Sequence, residues 1–249
     1  MFPIRDTIPS RRTPFVTWTL IAVNGLVFLF ELSLDPQALE SFFYWFGFVP
    51  ARYTHPAWAV WVGLPLDDYW PLLTSMFLHG GWLHLVGNMW TLWIFGDNVE
   101  ERMGPLRFAL FYLLTGLVAG LTHGFTNPDS TVPTVGASGA IAGVLGAYFV
   151  LFPRARIIAM FPVFFWPFFF ELPAASYLVL WYLSQVLTGT LAGMLPARGG
   201  GVAWWAHVGG FAAGVLLHRL FLLPRRRAPR RFEPDEYGIE GAWLPLQPR

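Results

Sequence analysis

The sequence lacks cysteine and lysine and contains few charged residues of any kind. The absence of cysteine excludes disulfides and thiolate metal sites. Charged residues make up 12% of the 249 residues, whereas a soluble globular domain carries about 25%. The formal net charge of +1 gives no general attraction for nucleic acid. These absences argue against a water-soluble enzyme, a nucleic-acid-binding protein and a disordered chain.

Apolar residues are abundant instead. They make up 55% of the chain, which includes 13 Trp and 24 Phe, and the mean hydropathy is +0.49. The core of a small soluble domain could not hide so much apolar surface from water. The composition therefore predicts a multi-pass membrane protein whose first partner is the lipid bilayer. No cleavable signal peptide is expected, because no Ala-x-Ala site follows the first apolar run.

Long apolar runs divide the chain into candidate membrane spans. A spanning helix needs about 20 largely apolar residues. Six runs qualify, at residues 15–30, 81–95, 106–122, 138–152, 173–191 and 202–223. The sequence therefore predicts an all-α bundle of six transmembrane helices over residues 15–223. A cytoplasmic N-terminal segment, residues 1–14, and a flexible cytoplasmic tail, residues 224–249, are expected to flank it.

Three intervals do not fit a simple span. Residues 31–78 form a long first loop that is rich in Trp and Pro, so a structured element in the membrane interface is expected there. Residues 157–171 are apolar but interrupted by Pro162 and Pro167, which predicts a re-entrant or interfacial lead-in to the fifth span. The tail carries a basic cluster that is expected to lie on anionic lipid, namely Arg225, Arg226, Arg227, Arg230 and Arg231.

The distribution of arginine predicts the orientation. Six spans leave both termini on one side of the membrane. That side receives Arg5, Arg11, Arg12, Arg102, Arg154, Arg156 and the basic cluster of the tail. The opposite side receives Arg52 and Arg198. The positive-inside rule then predicts cytoplasmic termini. A bacterial-type inner membrane is the expected location.

A polar residue at membrane depth is costly and marks a candidate functional site. Ser138 begins the fourth span, which ends before Pro153. That span has about 15 residues and is about 22 Å long, shorter than the hydrocarbon layer of about 30 Å. Ser138 should therefore lie below the outer surface. Irregular backbone at that depth needs protein or water beside it, which predicts a wet recess around Ser138.

His207 lies about one turn into the sixth span, which begins on the same side of the membrane as the fourth. His207 and Ser138 are therefore expected at similar depths. The pairs Gly139/Gly143 and Gly210/Gly214 have the spacing that lets two helix backbones approach closely. Close packing of the fourth and sixth spans would bring the Ser138 hydroxyl to the His207 imidazole. A serine needs such a base, because its hydroxyl is a weak nucleophile at neutral pH.

The second span supplies two further polar side chains. His84 and Asn88 are four residues apart and share a helix face. Both can donate hydrogen bonds, and acyl transfer requires donors that face the oxyanion. The backbone N–H of Ser138, free at a helix N-terminus, would be a third donor.

These residues, taken in order, resemble the rhomboid family of intramembrane serine proteases. The motifs are His79-x-x-x-x-His84-x-x-x-Asn88, Gly136-x-Ser138-Gly139 and Ala206-His207-x-x-Gly210. The segment Glu100-Glu101-Arg102-Met103-Gly104 is similar to the Glu-x-Arg loop of that family. Here an ion pair between Glu100 and Arg102 is expected to brace the loop. The resemblance covers about residues 15–222.

The resemblance implies a role for each matched position. Ser138 would be the nucleophile and His207 the general base, while His84 and Asn88 would stabilise the oxyanion. His79 would support the loop near the site. The chain departs from the family at position 142, where many members have an aromatic residue that packs on the catalytic histidine. Because Ala142 stands there, another side chain or closer backbone packing is expected to orient His207.

Other catalytic arrangements lack their residues. The chain has no His-Glu-x-x-His motif, no pair of mid-span Asp residues and no carboxylate in the sixth span. His55, His123 and His218 match no motif and are expected to be structural or interfacial. A Ser–His dyad that needs no metal or organic cofactor is the remaining arrangement.

The sequence thus predicts an intramembrane serine endopeptidase that cleaves transmembrane segments of other membrane proteins. A non-catalytic rhomboid-like protein that binds membrane proteins is the alternative. A small transporter or channel is a third interpretation, disfavoured because no clear internal repeat is visible.

Overall fold

A computed structural model describes residues 2–163, 166–194, 202–224, 231–234 and 241–244. This part of the chain is mostly helical. The elements from the N-terminus to the end of the first long loop are β1 (Phe2–Asp6), α1 (Phe15–Glu31), α2 (Pro36–Phe46), α3 (Ala51–Thr54), α4 (Pro56–Trp61), α5 (Pro71–Thr74) and a 3₁₀ turn (Ser75–Phe77). Those that follow are α6 (Trp82–Met103), α7 (Pro105–Thr126), α8 (Ser138–Leu151), β2 (Arg156–Val163), β3 (Trp166–Pro173), α9 (Ala174–Met194), α10 (Trp204–Phe221), β4 (Arg231–Pro234) and β5 (Gly241–Leu244).

The long helices correspond to the predicted spans, with boundaries that differ by a few residues at most sites. By length and composition, α7 is the helix in the described part of the chain that is long and apolar enough to cross a membrane. Two further helices, α1 and α8, are apolar but shorter. The helix α6 extends beyond its predicted span to Met103, through a polar last third that includes Glu100.

The helix α8 forms the centre of the bundle. Its residues from Gly139 to Tyr148 are all buried, and it packs against α6, α7, α9 and α10. A helix that is apolar around its whole circumference is expected in such a position. Ser138 is the first residue of α8, so it lies at one end of this buried helix, next to the core.

The helices α8 and α10 approach each other as closely as their glycines allow. A Cβ atom added at Gly210 would collide with the carbonyl oxygen of Gly139, and one added at Gly214 would collide with that of Gly143. Backbone contact of this kind requires small residues at four-residue spacing. The close packing predicted from the two Gly-x-x-x-Gly pairs is therefore present.

Within residues 157–171, for which a re-entrant or interfacial lead-in to the fifth span was predicted, the described residues belong to a small sheet. The strand β2 pairs antiparallel with β3, and β1 pairs antiparallel with the other edge of β2. Pro162 stands opposite Pro167 in the register, one position from the ends of the two strands at Val163 and Trp166. Proline disrupts a helix interior but is tolerated near strand ends and turns. The all-α prediction was therefore wrong for this segment and for the N-terminal strand that joins it.

Part of the C-terminal tail is also paired. The strand β4 pairs antiparallel with β5, where a flexible tail was predicted. The predicted lipid-binding cluster falls mostly outside the described residues, since only Arg231 of that cluster belongs to a described strand. Arg198, which was used to predict the orientation, also lies outside them.

The first loop is folded, as its composition predicts. Arg52 is fully buried and pairs with Asp68 at 3.0 Å. Its Nε donates to the carbonyl oxygen of Pro65 at 2.7 Å, and the Tyr53 hydroxyl donates to the carbonyl oxygen of Asp68 at 2.9 Å. These bonds hold the segment between α3 and α5 as a compact unit beside the bundle.

Candidate active site

Ser138 and His207 form a hydrogen bond. Ser138 is the first residue of α8, and His207 lies in the first turn of α10. The Ser138 Oγ lies 2.8 Å from the His207 Nε2, which is the ordinary length of a strong hydrogen bond. His207 is buried and Ser138 half-buried. The structure therefore brings together the two residues that the sequence predicted to meet.

The other ring nitrogen of His207 contacts Gln185, a residue that was not among the predicted site residues. The Nδ1 of His207 lies 2.7 Å from the amide oxygen Oε1 of Gln185 on α9. Gln185 is buried, with 6% of its surface exposed. A glutamine within an apolar predicted span is a detectable signal, because a polar side chain at that depth needs a partner.

Two tryptophans provide the aromatic surroundings of His207. The Trp181 ring on α9 lies 5.9 Å from the imidazole with an interplanar angle of 33°. The Trp204 ring lies 6.2 Å away and meets the imidazole edge-on. Ala142 is fully buried, so the aromatic contacts come from α9 and the start of α10 instead of from position 142.

His84 and Asn88 lie on α6 against the backbone that precedes Ser138. Gly136 has a φ of +126°, and a Cβ atom added there would lie 2.6 Å from the His84 Nε2 and 3.6 Å from the Asn88 Nδ2. Glycine is suited to this close approach because it has no Cβ and tolerates positive φ. The N–H of Gly136 donates to the carbonyl oxygen of Ser75 at 2.8 Å, which anchors the same segment to the first loop.

His79 connects the first loop to Asn88. The His79 Nε2 lies 2.9 Å from the Asn88 Nδ2, and the backbone N–H of His79 donates to the Glu31 carboxylate at 3.2 Å and 3.3 Å. Burial, followed by the charge of nearby His84, lowers the pKa of His79 to about 4. The imidazole is therefore neutral at neutral pH and can accept a hydrogen bond from the Asn88 amide, which orients that amide.

One cavity contains all four predicted site residues. It has a volume of about 1090 Å³, and Ser138, His207, His84 and Asn88 all line it. His123, which was expected to be structural or interfacial, lines the same cavity and lies 3.3 Å from the side-chain amide of Asn127. The position of Ser138 at a recess agrees with the short fourth span from which the recess was predicted.

Glu100 does not pair with Arg102. Its carboxylate accepts the backbone N–H groups of Val16 and Thr17 at 2.9 Å and 2.8 Å, and the Thr17 hydroxyl at 2.8 Å. The first N–H groups of a helix lack partners within the helix, and Pro14 before α1 provides no side-chain cap. The predicted ion pair is therefore wrong, because capping α1 satisfies the buried Glu100 instead.

The described residues do not form a cluster of metal ligands. Across the described residues, no three His, Asp or Glu side chains lie close enough together to hold a metal ion. The polar groups of the cavity are instead arranged as one hydroxyl, one imidazole and several hydrogen-bond donors, which is a set suited to acyl transfer.

Comparison with known proteins gives a family assignment. A sequence model of the family described as "Rhomboid domain" matches residues 66–224. The RHOMBOID-like protein 5 of Arabidopsis thaliana is 31% identical over 156 residues, which cover 63% of this chain and 45% of that protein. The putative rhomboid protease YdcA of Bacillus subtilis (strain 168) is 35% identical over 98 residues, which cover 39% of this chain and 49% of that protein.

The Rhomboid protease GluP of Bacillus subtilis (strain 168) is 42% identical over 80 residues, which cover 32% of this chain and 15% of that protein. The chain thus spans about half the length, or less, of these curated relatives. Other relatives have mitochondrial or chloroplastic names, so the bacterial-type inner membrane stays a prediction. Since the family match covers more than half of the chain, the chain belongs to the rhomboid family, whose members are integral membrane proteins and include proteases.

Proposed function

We propose that this protein is an intramembrane serine endopeptidase that cleaves transmembrane segments of other membrane proteins. The observation that carries the proposal is the 2.8 Å hydrogen bond between the Ser138 Oγ and the His207 Nε2, two residues that line the same cavity. Membership of a family with relatives named as proteases supports the same conclusion.

The proposed membrane domain covers residues 15–223 and has six spans, formed by α1, α6, α7, α8, α9 and α10. Residues 1–14 and 224–249 would flank it on the cytoplasmic side, where the positive-inside rule puts the arginine-rich ends. The pairing of β1 with β2 supports this arrangement, because β2 follows the end of α8 opposite Ser138.

The proposed reaction begins at the Ser138 hydroxyl. The Oγ attacks the carbonyl carbon of the scissile peptide bond, while the His207 Nε2 takes the hydroxyl proton. The same nitrogen then gives this proton to the departing amine, which leaves an ester between substrate and Ser138. A water molecule, activated in turn by His207, attacks the ester and releases the acid and free Ser138.

The oxyanion of the tetrahedral intermediate requires donors that are already in position. The backbone N–H of Ser138 lies at the start of α8, where helix N–H groups lack internal partners. His84 and Asn88 contact the neighbouring segment at Gly136. We assign these three donors to the oxyanion, since donors fixed in advance stabilise developing charge without reorganisation.

Replacing Asn88 by alanine is expected to lower kcat by about 10²-fold, because loss of one oxyanion donor costs about 3 kcal/mol. The KM should change little, since the donor acts mainly in the transition state. Steady-state cleavage of a fluorogenic transmembrane peptide in detergent micelles measures both constants. Asn24→Ala is the control: Asn24 is a buried asparagine on α1 that bonds its own helix, and its loss should leave kcat unchanged. A normal kcat in Asn88→Ala would remove Asn88 from the proposed oxyanion site.

Labelling with a fluorophosphonate tests the proposed function directly. An activated serine oxygen displaces fluoride from the reagent and forms a stable covalent bond, whereas an ordinary serine does not react. We expect labelling of the unaltered protein and of Ser41→Ala, which changes an exposed serine on α2. Ser138→Ala and His207→Ala should not label. A folded protein that does not label, or a label that persists in Ser138→Ala, would favour the non-catalytic binding protein.

A further inference from the structure

The chain of polar contacts at the site does not end at His207. Ser138, His207 and Gln185 come from three different helices, α8, α10 and α9. The imidazole lies between the hydroxyl at 2.8 Å and the glutamine oxygen at 2.7 Å. We propose that Gln185 is a positioning residue for the reaction: its amide oxygen accepts the His207 Nδ1–H and so directs the Nε2 lone pair to Ser138. This inference rests on the proposed function.

The orientation of the Gln185 amide follows from its other contacts. Its Nε2 lies 3.3 Å from the backbone carbonyl oxygen of Trp181 and 2.9 Å from the Ser184 Oγ. A carbonyl oxygen can only accept, and the Ser184 hydroxyl already donates to that same carbonyl at 2.6 Å. The NH₂ group must therefore face the backbone of α9, because the reversed amide would set two acceptors against each other. The Oε1 then faces His207.

This orientation selects one tautomer of His207. A neutral imidazole has one N–H donor and one acceptor nitrogen. Because the Gln185 Oε1 can only accept, the proton must be on Nδ1. The Nε2 is then the acceptor and faces the Ser138 hydroxyl, which is the arrangement that a general base requires. The opposite tautomer would present an N–H to the hydroxyl and could not take its proton.

Gln185 also gives the His207 Nδ1 its hydrogen-bond partner among the described residues. In serine proteases with a triad, a carboxylate holds the imidazole and stabilises its positive form. Here the sixth span has no carboxylate, and a buried neutral amide takes the corresponding position. Both side chains are largely buried, with 6% exposure for Gln185 and 8% for His207. Breaking the bond would leave buried polar atoms unpaired, so the ring orientation is well specified.

The first test measures the tautomer itself. In a Ser138→Ala background, the hydroxyl cannot contribute, so the ¹⁵N chemical shifts of the His207 ring report the influence of Gln185. We expect the Nδ1–H tautomer to predominate. Gln185→Met has a side chain of the same length without the amide, and it should give a mixture of tautomers. Thr190→Val, an exposed polar-to-apolar change on the same helix, should leave the shifts unchanged.

The second test measures turnover in proteins that retain Ser138. Gln185→Met should lower kcat by about 10- to 100-fold, as small misplacements of a reacting group do, with KM unchanged. Thr190→Val should retain the parental kcat. Three results would each overturn the role of Gln185. These are an Nε2–H tautomer in the Ser138→Ala protein, ring shifts that do not change when Gln185→Met is added to it, and an unchanged kcat in Gln185→Met with Ser138 retained. A folded parent that does not cleave at all would instead overturn the proposed function, while the ring shifts would still show whether Gln185 selects the tautomer.

Discussion

Replacement of Ser138 by alanine is expected to lower the rate of substrate cleavage by at least about 10⁴-fold. The variant loses the only oxygen that lies within hydrogen-bond distance of the His207 Nε2 among the described residues. No ester intermediate can then form. The fold should persist, because the Ser138 side chain does not cap α8. Among the described residues, its hydroxyl forms a hydrogen bond with His207 and with no other residue.

The measurement is cleavage of a model transmembrane substrate by the purified full chain in detergent or liposomes. His207→Ala should reduce the rate to a similar extent, and the double variant should be no slower than either single variant, because the two residues act as one unit. Ser41→Ala should cleave at the parental rate. Equal turnover in Ser138→Ala would refute the assignment of the nucleophile, whereas a further large loss in the double variant would show that the two residues act separately.

The meeting of Ser138 and His207 could be predicted because its determinants are local in the sequence. A short fourth span fixes the depth of Ser138, and the Gly139/Gly143 and Gly210/Gly214 pairs specify which faces of two helices touch. When these two faces pack together, Ser138 at the start of α8 lies close to His207 at the start of α10. His84 and Asn88 are predictable for the same reason, since residues four apart on one helix share a face.

The contacts made by Gln185 and Glu100 depend on distant partners, and no spacing in the sequence identifies them. Gln185 meets His207, which lies 22 residues further along the chain on a different helix. Glu100 caps the start of α1 by accepting the N–H of Thr17, which lies 83 residues earlier, in preference to pairing with the nearby Arg102. In both cases a buried polar group selects the partner that satisfies its hydrogen bonds, which is a property of the packed bundle.

The all-α prediction was wrong at residues 157–171 for a different reason. The apolar run of this segment is as continuous as that of a buried helix, and periodicity alone does not separate the two structures. The prolines at positions 162 and 167 indicated an interruption, but pairing with β1 from the far N-terminus stabilises the strands. The strand β2 pairs with β1, and this pairing joins residues more than 150 positions apart, such as Met160 and Phe2.

Gly210→Ala is expected to destabilise the protein and to impair cleavage strongly. The added methyl group would collide with the carbonyl oxygen of Gly139, the residue next to Ser138. Overpacking of a tight core costs about 1–3 kcal/mol of unfolding free energy. Since Gly210 lies one turn after His207, the forced separation of α8 and α10 also moves the imidazole, and a displacement of about 1 Å can cost about 10²-fold in rate.

Gly25→Ala on α1 is the matched control, because a Cβ atom added at Gly25 meets no other atom within 4 Å. Alanine is favoured over glycine within a helix by about 1 kcal/mol, so this change should stabilise the protein and leave cleavage intact. The two identical substitutions thus have opposite expected signs, which denaturant unfolding in detergent and the cleavage assay can both measure. If Gly210→Ala were as stable and as active as Gly25→Ala, the contact between α8 and α10 could not be what holds Ser138 and His207 together.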